Sequence, residues 1–168
     1  QNAKIASMDD ERIAVIDSRS LSSGSGLLAL SAVDKINEGK TFEETVKLIL
    51  EEVEKVQASF ILNDLKYLYK GGRCSALSVF GANILRIKPK IKLSEGKMGV
   101  DKKYMGKLDT VIDKYVDDLL NDNPNPVKKR VYVTYTTSTD EINKSIKEKL
   151  EAKGFEEIIF NDAGSTIA

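Results

Sequence analysis

The chain has 168 residues, 41% hydrophobic and 31% charged, the balance of a globular protein rather than a disordered one. Its 26 basic residues are offset by 26 acidic ones, which argues against nucleic-acid binding, because phosphate neutralisation calls for a basic surplus. With no histidine and a single cysteine, Cys74, the chain lacks Ser-His-Asp and Cys-His nucleophiles, His- or Cys-rich zinc sites and an internal disulfide; a cytoplasmic protein without cofactor or metal is expected. No apolar run approaches the ~20 residues of a membrane span and no signal-peptide pattern opens the chain, so stable membrane insertion is not expected.

In chain order, residues 12–17 form a short β-branched run ending in Asp17, the pattern of a buried parallel strand. A Ser- and Gly-rich loop follows over 18–26, then a helix over 27–37 that Gly39 ends. Thr41 and Glu44 form a capping box for a helix running to about residue 57, with Val46, Ile49, Leu50, Val53 and Val56 on one stripe. Strand, helix and helix in this order suggest the last part of a three-layer α/β domain.

The character changes near Ser59. Residues 60–62 read as a strand. Asp64 then caps a helical turn over 65–70 that Gly71 and Gly72 close, and 75–85 reads as a short helix. Residues 87–93 alternate apolar with Lys88, Lys90 and Lys92, and Pro89 suggests an edge strand or a bulge. A turn at 94–96 and a return strand over 97–103 complete a hairpin. An amphipathic helix over 108–120 and a polar connector over 121–126 follow. The chain continues with a strand over 130–136, a second capping box (Ser138 to Glu141), a helix to Lys153 stopped by Gly154, and a last strand over 157–161. Hairpins mixed with helices indicate an α+β domain with a mainly antiparallel sheet flanked by helices, rather than another βαβ layer. The expected boundary separates residues 1–58 from 59–168.

Gly24-Ser25-Gly26-Leu27-Leu28-Ala29 fits a dinucleotide-binding glycine pattern, but Ser18 to Ser23 separate it from the strand it should follow. The alternative is a close-packed helix start where only glycine fits. In Lys70-Gly71-Gly72-Arg73 the glycines allow a sharp turn that presents a guanidinium fork suited to a carboxylate or phosphate. The same residues also describe a helix C-cap with Arg73 paired to a surface acid. Lys88, Lys90 and Lys92 read either as an anion site for a phosphorylated small molecule or as a solvated edge that resists aggregation. Residues 134–139, with Tyr132 and Tyr135, read as an anion-accepting strand end or as loop-capping hydroxyls.

Val15-Ile16-Asp17-Ser18 with Ser22, Gly24 and Gly26, then the string from Asp64-Leu65 through Tyr67-Leu68 to Lys70-Gly71-Gly72-Arg73, then Ile87-Lys88-Pro89, resembles the DegV family of bacterial fatty-acid-binding proteins. Asn161-Asp162-Ala163-Gly164 extends the resemblance across the chain. It implies a non-catalytic cytoplasmic carrier in which an α/β domain and an α+β domain close over one long-chain fatty acid, in several bacteria presented to a separate fatty-acid kinase subunit. It also implies ligand-binding roles for Arg73, Gly71, Gly72, Ser18 and Ser22. Members carry further chain upstream, with the main carboxylate-binding hydroxyls, and further chain downstream, so this chain is expected to match the later portion of the family. Where many members have an arginine, this chain has Met105. A purely structural interaction module is the third reading, resting on the neutral charge and the absence of catalytic groups.

Burying a ~16-carbon chain releases up to ~12 kcal/mol at ~0.8 kcal/mol per methylene, before association costs, provided the cavity is enclosed. Leu77, Val79, Phe80, Ile84 and Leu85, with Ile61, Ile87 and Ile91, read either as wall material for such a cavity or, each taken singly, as ordinary core.

Overall fold

A computed structural model describes residues 2–64, 70–71 and 87–164. The chain divides into two compact units, residues 1–57 and 58–168. Helices and strands are mixed, and three of the strands form an antiparallel sheet.

In the first unit a short α1 (Asn2–Ala6) precedes α2 (Ser22–Asn37) and α3 (Phe42–Val53). The strand expected over 12–17 does not form: Arg12 lies in a turn and no strand among the described residues pairs with the segment, so there is no ladder to join. Helix α2 starts at Ser22 rather than Leu27. Weak Ser and Gly propensity is overridden because Gly24 and Leu28, one turn apart, share its buried face. Helix α3 has the expected capping box: Glu44 N–H donates to Thr41 Oγ1 at 3.2 Å and Thr41 N–H to the Glu44 carboxylate at 2.9 Å. It ends at Val53, yet Val56 beyond it still packs on the core of Leu28, Ile49 and Val53. A polar tie joins the helices: Lys35 and Ser31 of α2 each donate to Glu52 of α3 at 2.6 Å.

In the second unit β1 (Ser59–Ile61), β2 (Ile87–Ser94) and β3 (Lys97–Met105) form the antiparallel sheet, in that order. Glu95 and Gly96, at φ 51° and 74°, make the two-residue turn between β2 and β3, the left-handed pair that matches hairpin twist. The central strand is β2, so Pro89 does not mark an edge. Proline is accommodated there through its acceptor: Pro89 O takes the Leu62 N–H at 3.3 Å. The expected bulge lies across from it. Lys90 pairs with Lys102 but Ile91 with Val100, which leaves Asp101 as the extra residue of β3.

Strand alternation puts Phe60, Ile87, Pro89, Ile91 and Leu93 on one face of this sheet and Ser59, Ile61, Lys88, Lys90 and Lys92 on the other. Ile61 therefore does not share a wall with Ile87 and Ile91, as the sequence suggested. Lys90 is not a solvated edge lysine either. Its side chain is 4% exposed, and its ammonium lies 2.7 Å from Asp101 and 3.8 Å from Asp122. Asp122 ends α4 (Leu108–Asp122), which covers this lysine-bearing face. From the same helix, Asp118 accepts from Lys102 at 2.6 Å and from the Tyr104 hydroxyl at 2.7 Å. The Tyr115 hydroxyl donates to Ser59 O at 2.8 Å.

The opposite side of α4 meets α5 (Asp140–Lys153). Lys149 sits 2.7 Å from both Asp113 and Asp117, while Val116, Ile146 and Leu150 form the core between the helices. Strands β4 (Arg130–Tyr135) and β5 (Glu157–Asp162) flank α5 in sequence and pair in parallel. This is a βαβ unit, contrary to the sequence expectation; the apolar face of α5 packs on Val131, Val133, Ile158 and Phe160 of the pair. Thr139, not Ser138, caps α5, accepting from Ile142 N–H at 3.3 Å. Gly154, at φ 89°, ends it, with Phe155 N–H reaching back to Leu150 O at 3.1 Å.

The hydrogen bond from Lys90 holds the Asp101 carboxyl below the usual carboxylate range. Such a group adds stability above its unfolded pKa of ~4 and loses it as pH falls through the lower folded value. Asp101→Asn is expected to cost about 1–2 kcal/mol at neutral pH, below the usual cost of breaking a buried pair because Asp101 is 38% exposed. The gap to the parent should close as the pH drops below ~4. Urea unfolding from pH 7 to 2 measures both; a gap that persists in acid would assign the loss to the amide rather than to the lost charge.

Candidate functional site

Ser18 and Ser22 lie in the loop that opens α2. Asp17 Oδ1 accepts the Arg19 N–H at 3.0 Å, a local turn that swings the chain round. The Ser18 hydroxyl then serves as an organiser: it lies 2.9 Å from Ser25 Oγ, donates to Ser20 O at 3.3 Å and accepts from Ser20 N–H at 3.3 Å. Arg19 and Ser22 both adopt left-handed backbone, at φ 47° and 45°, which side-chain-bearing residues enter at a cost. Arg19 is anchored by a 2.6 Å ion pair to Glu54. Ser22, exposed, is the first residue of α2, and the preceding Leu21 supplies no side-chain cap.

The chemistry of this loop is that of a hydroxyl-lined helix N-terminus. No acidic residue occupies the first turn of α2, and the partial positive charge there favours an anion. The Ser20 hydroxyl is buried with no hydrogen-bond partner. Gly24 and Gly26 lie inside α2, not in a phosphate-binding turn after a strand, and a Cβ at Gly26 would meet open space. Neither the dinucleotide reading nor the requirement for glycine at 26 survives.

Of the other predicted site residues, Gly71 is described and exposed, next to the helical Lys70. Gly72 and Arg73 lie outside the described residues, as do the expected wall residues Leu77, Val79, Phe80, Ile84 and Leu85. The anion site considered on β2 is not available: the Lys90 ammonium is sequestered by Asp101 and Asp122, and Lys88 donates to Asn63 O at 2.8 Å. Residues 134–139 carry capping bonds rather than a ligand cradle; besides the Thr139 cap, Ser138 Oγ donates to Asn143 Oδ1 at 2.8 Å. An open apolar groove of about 540 Å³ runs along α3, lined by Ala14, Phe42, Val46 and Leu50. Sequence reasoning missed the Lys90–Asp101 pair; its available signal was a lysine flanked by two buried positions, Pro89 and Ile91.

Among the described residues no three His, Cys, Asp or Glu side chains converge on a metal position, and no helix is long and apolar enough to cross a membrane.

A family model described as "Uncharacterised protein, DegV family" matches residues 1–168. A DegV domain-containing protein from Caldanaerobacter subterraneus is 31% identical over 160 residues, covering 92% of this chain and 57% of that protein. The chain thus spans little more than half the length of the curated relatives it matches. A DegV family protein from Ruminococcus gnavus, solved with vaccenic acid, superimposes with a TM-score of 0.81 at 26% identity, covering 99% of this chain and 59% of that one. The Fatty Acid Kinase (Fak) B3 protein of Streptococcus pneumoniae, loaded with linoleic acid, does so with a TM-score of 0.77 at 25% identity, covering 96% of this chain and 57% of that one.

The left-handed backbone at Ser22 makes a direct prediction. Ser22→Gly should stabilise the protein by up to about 1 kcal/mol, and Ser22→Val should destabilise it by about 1–2 kcal/mol, because β-branching is poorly tolerated at positive φ. Denaturant midpoints of the two variants against the parent check this; equal midpoints would show that the loop relaxes without strain.

Proposed function

This chain belongs to the DegV family, and from that premise we propose that it is part of a non-catalytic carrier that holds one long-chain fatty acid and presents it to a separate kinase subunit. The observation that carries this reading is the fatty acid named with its structural relatives: vaccenic acid for the Ruminococcus gnavus protein and linoleic acid for the kinase B3 protein. Residues 1–58 are then the later part of a three-layer α/β domain, and residues 59–168 most of an α+β domain. A single cysteine in these 168 residues supports the reading of a cytoplasmic carrier.

The roles divide by chemistry. Ser22, the first residue of α2, offers a hydroxyl donor to the acid's head group, with the helix dipole adding attraction for its charge, and Ser18, its hydroxyl held by Ser20 and Ser25, shapes the loop that presents it. Gly71 and Gly72 shape the turn that carries Arg73. The Arg73 fork makes two parallel hydrogen bonds to a carboxylate or phosphate, which a lysine cannot reproduce. Neutral overall charge suits a carrier whose ligand is mostly alkyl, since the affinity comes from methylene burial.

Native mass spectrometry on the protein expressed from its complete gene in a bacterial host is expected to show a bound acyl chain; a preparation that never carries or takes up one overturns the reading. In that protein, Arg73→Lys should leave the melting temperature within a few degrees. It should lower phosphorylation of the bound acid by the partner kinase at least ~10-fold, about 1.4 kcal/mol of lost stabilisation. A fall in melting temperature with unchanged phosphorylation would move Arg73 out of the site.

A further inference from the structure

The positive charge of this neutral chain is unevenly placed. Residues 87–107, which hold β2, its turn, β3 and the two residues after it, carry seven lysines and no arginine against two acids, Glu95 and Asp101. Two of the lysines are occupied inside the fold, Lys90 by Asp101 and Asp122 and Lys102 by Asp118. A third, Lys88, donates to Asn63 O. Lys92, Lys97, Lys103 and Lys107 are exposed. With Asp101 turned onto Lys90, the acids beside them in sequence are Glu95, in the turn, and Asp109, two residues past Lys107.

These cations follow the outer strand of the described sheet. From Lys97 to Met105 that strand runs about 27 Å at ~3.4 Å per residue. Lys92 lies near its turn end and Lys107 beyond its other end. Between Lys103 and Lys107, Met105 is 74% exposed. A strip of this length outreaches a single phosphate or carboxylate and calls for an extended anionic surface. Lysine without arginine is a diffuse, strongly hydrated charge, and protein interfaces are depleted in it. Nucleic acid would use the lysines but leave Met105 with nothing to bury against. A bilayer interface uses both: lysines reach the anionic head groups while a flexible apolar side chain between them enters the boundary layer.

We propose that β3 and its flanks, through Lys92, Lys97, Lys103, Lys107 and Met105, form a docking surface for an anionic lipid bilayer. For a carrier of a long-chain acid, such a surface brings the protein to the phase in which that acid dissolves. The docking itself stands without the fatty-acid reading.

The test is co-sedimentation of the protein expressed from its complete gene with vesicles of mixed phosphatidylglycerol and phosphatidylcholine, against phosphatidylcholine alone. Binding is expected only to the mixed vesicles, and at least ~10-fold weaker when salt rises from about 0.05 to 0.5 M. Lys97→Gln combined with Lys107→Gln should weaken it about 20-fold, roughly 5-fold for each lost charge. Met105→Gln should weaken it several-fold. Lys144→Gln with Lys147→Gln, which removes two exposed cations from α5, should bind within about 2-fold of the parent. All variants should melt within a few degrees of the parent. Equal binding to both vesicle types, no binding to either, or an equal loss from the α5 variant overturns the proposal. So does aggregation of the Lys97 and Lys107 variant with vesicle binding unchanged, which would assign the lysines to guarding the strand edge. Binding to a DNA duplex but not to vesicles would assign the strip to nucleic acid instead. A protein that takes up oleate yet ignores the mixed vesicles loses the docking surface and keeps the fatty-acid reading; vesicle binding without oleate uptake does the reverse.

Discussion

The second unit is organised around a cation that has been taken out of water. A lysine side chain exposed by only 4% in the middle of a sheet is tolerable only if its charge is answered at close range. Two features supply the answer to Lys90, and both are large-scale consequences of one side chain. The bulge in β3 brings Asp101 onto the lysine-bearing face, and α4 lies across that face so that Asp122 approaches the ammonium. Once α4 is there, Tyr115, Asp118 and Asp122 fall on one stripe toward the sheet, spaced three and four residues apart.

The same helix then determines where the βαβ unit packs. Asp113 and Asp117 point the other way and clamp Lys149, with Val116 set into the core beside Ile146 and Leu150. Helix α4 is thus bonded by charge on both sides and by apolar packing on one. Burial pushes the Tyr115 hydroxyl up to about 12, and burial followed by the Asp118 bond raises Tyr104 further, so both stay protonated donors at any physiological pH. At the head of the sheet, Lys88 donates to Asn63 O.

The first unit is built on a smaller scale. Three buried residues, Leu28, Ile49 and Val53, and the Lys35–Glu52–Ser31 tie hold two helices together. Much apolar surface stays exposed, including Ile13, Val33, Ile36, Phe42 and Leu50. Left-handed backbone at Arg19 and Ser22 sits at the start of α2, where hydroxyls and helix N–H groups gather, so local strain and candidate anion contacts coincide in one loop.

The sequence alone carried the local features whose physics is local. The capping box at Thr41 and Glu44, the Gly154 stop, a hairpin turn near residues 94–96 and the amphipathic α4 were all readable, because each depends on residues a few positions apart. The family was readable as well, from the string between Asp64 and Arg73 and its spacing to Val15-Ile16-Asp17. What needed tertiary structure was every question of which partner lies opposite. Whether residues 12–17 become a strand depends on a neighbouring strand, not on their β-branched side chains. Whether Pro89 sits at an edge depends on which strands flank β2, and whether Lys90 is solvated depends on a bulge and a helix 11 and 32 residues away in sequence. Strand alternation is visible in a sequence, but one extra residue at Asp101 changes which side chains meet, and that residue is identified only when the strands are seen paired.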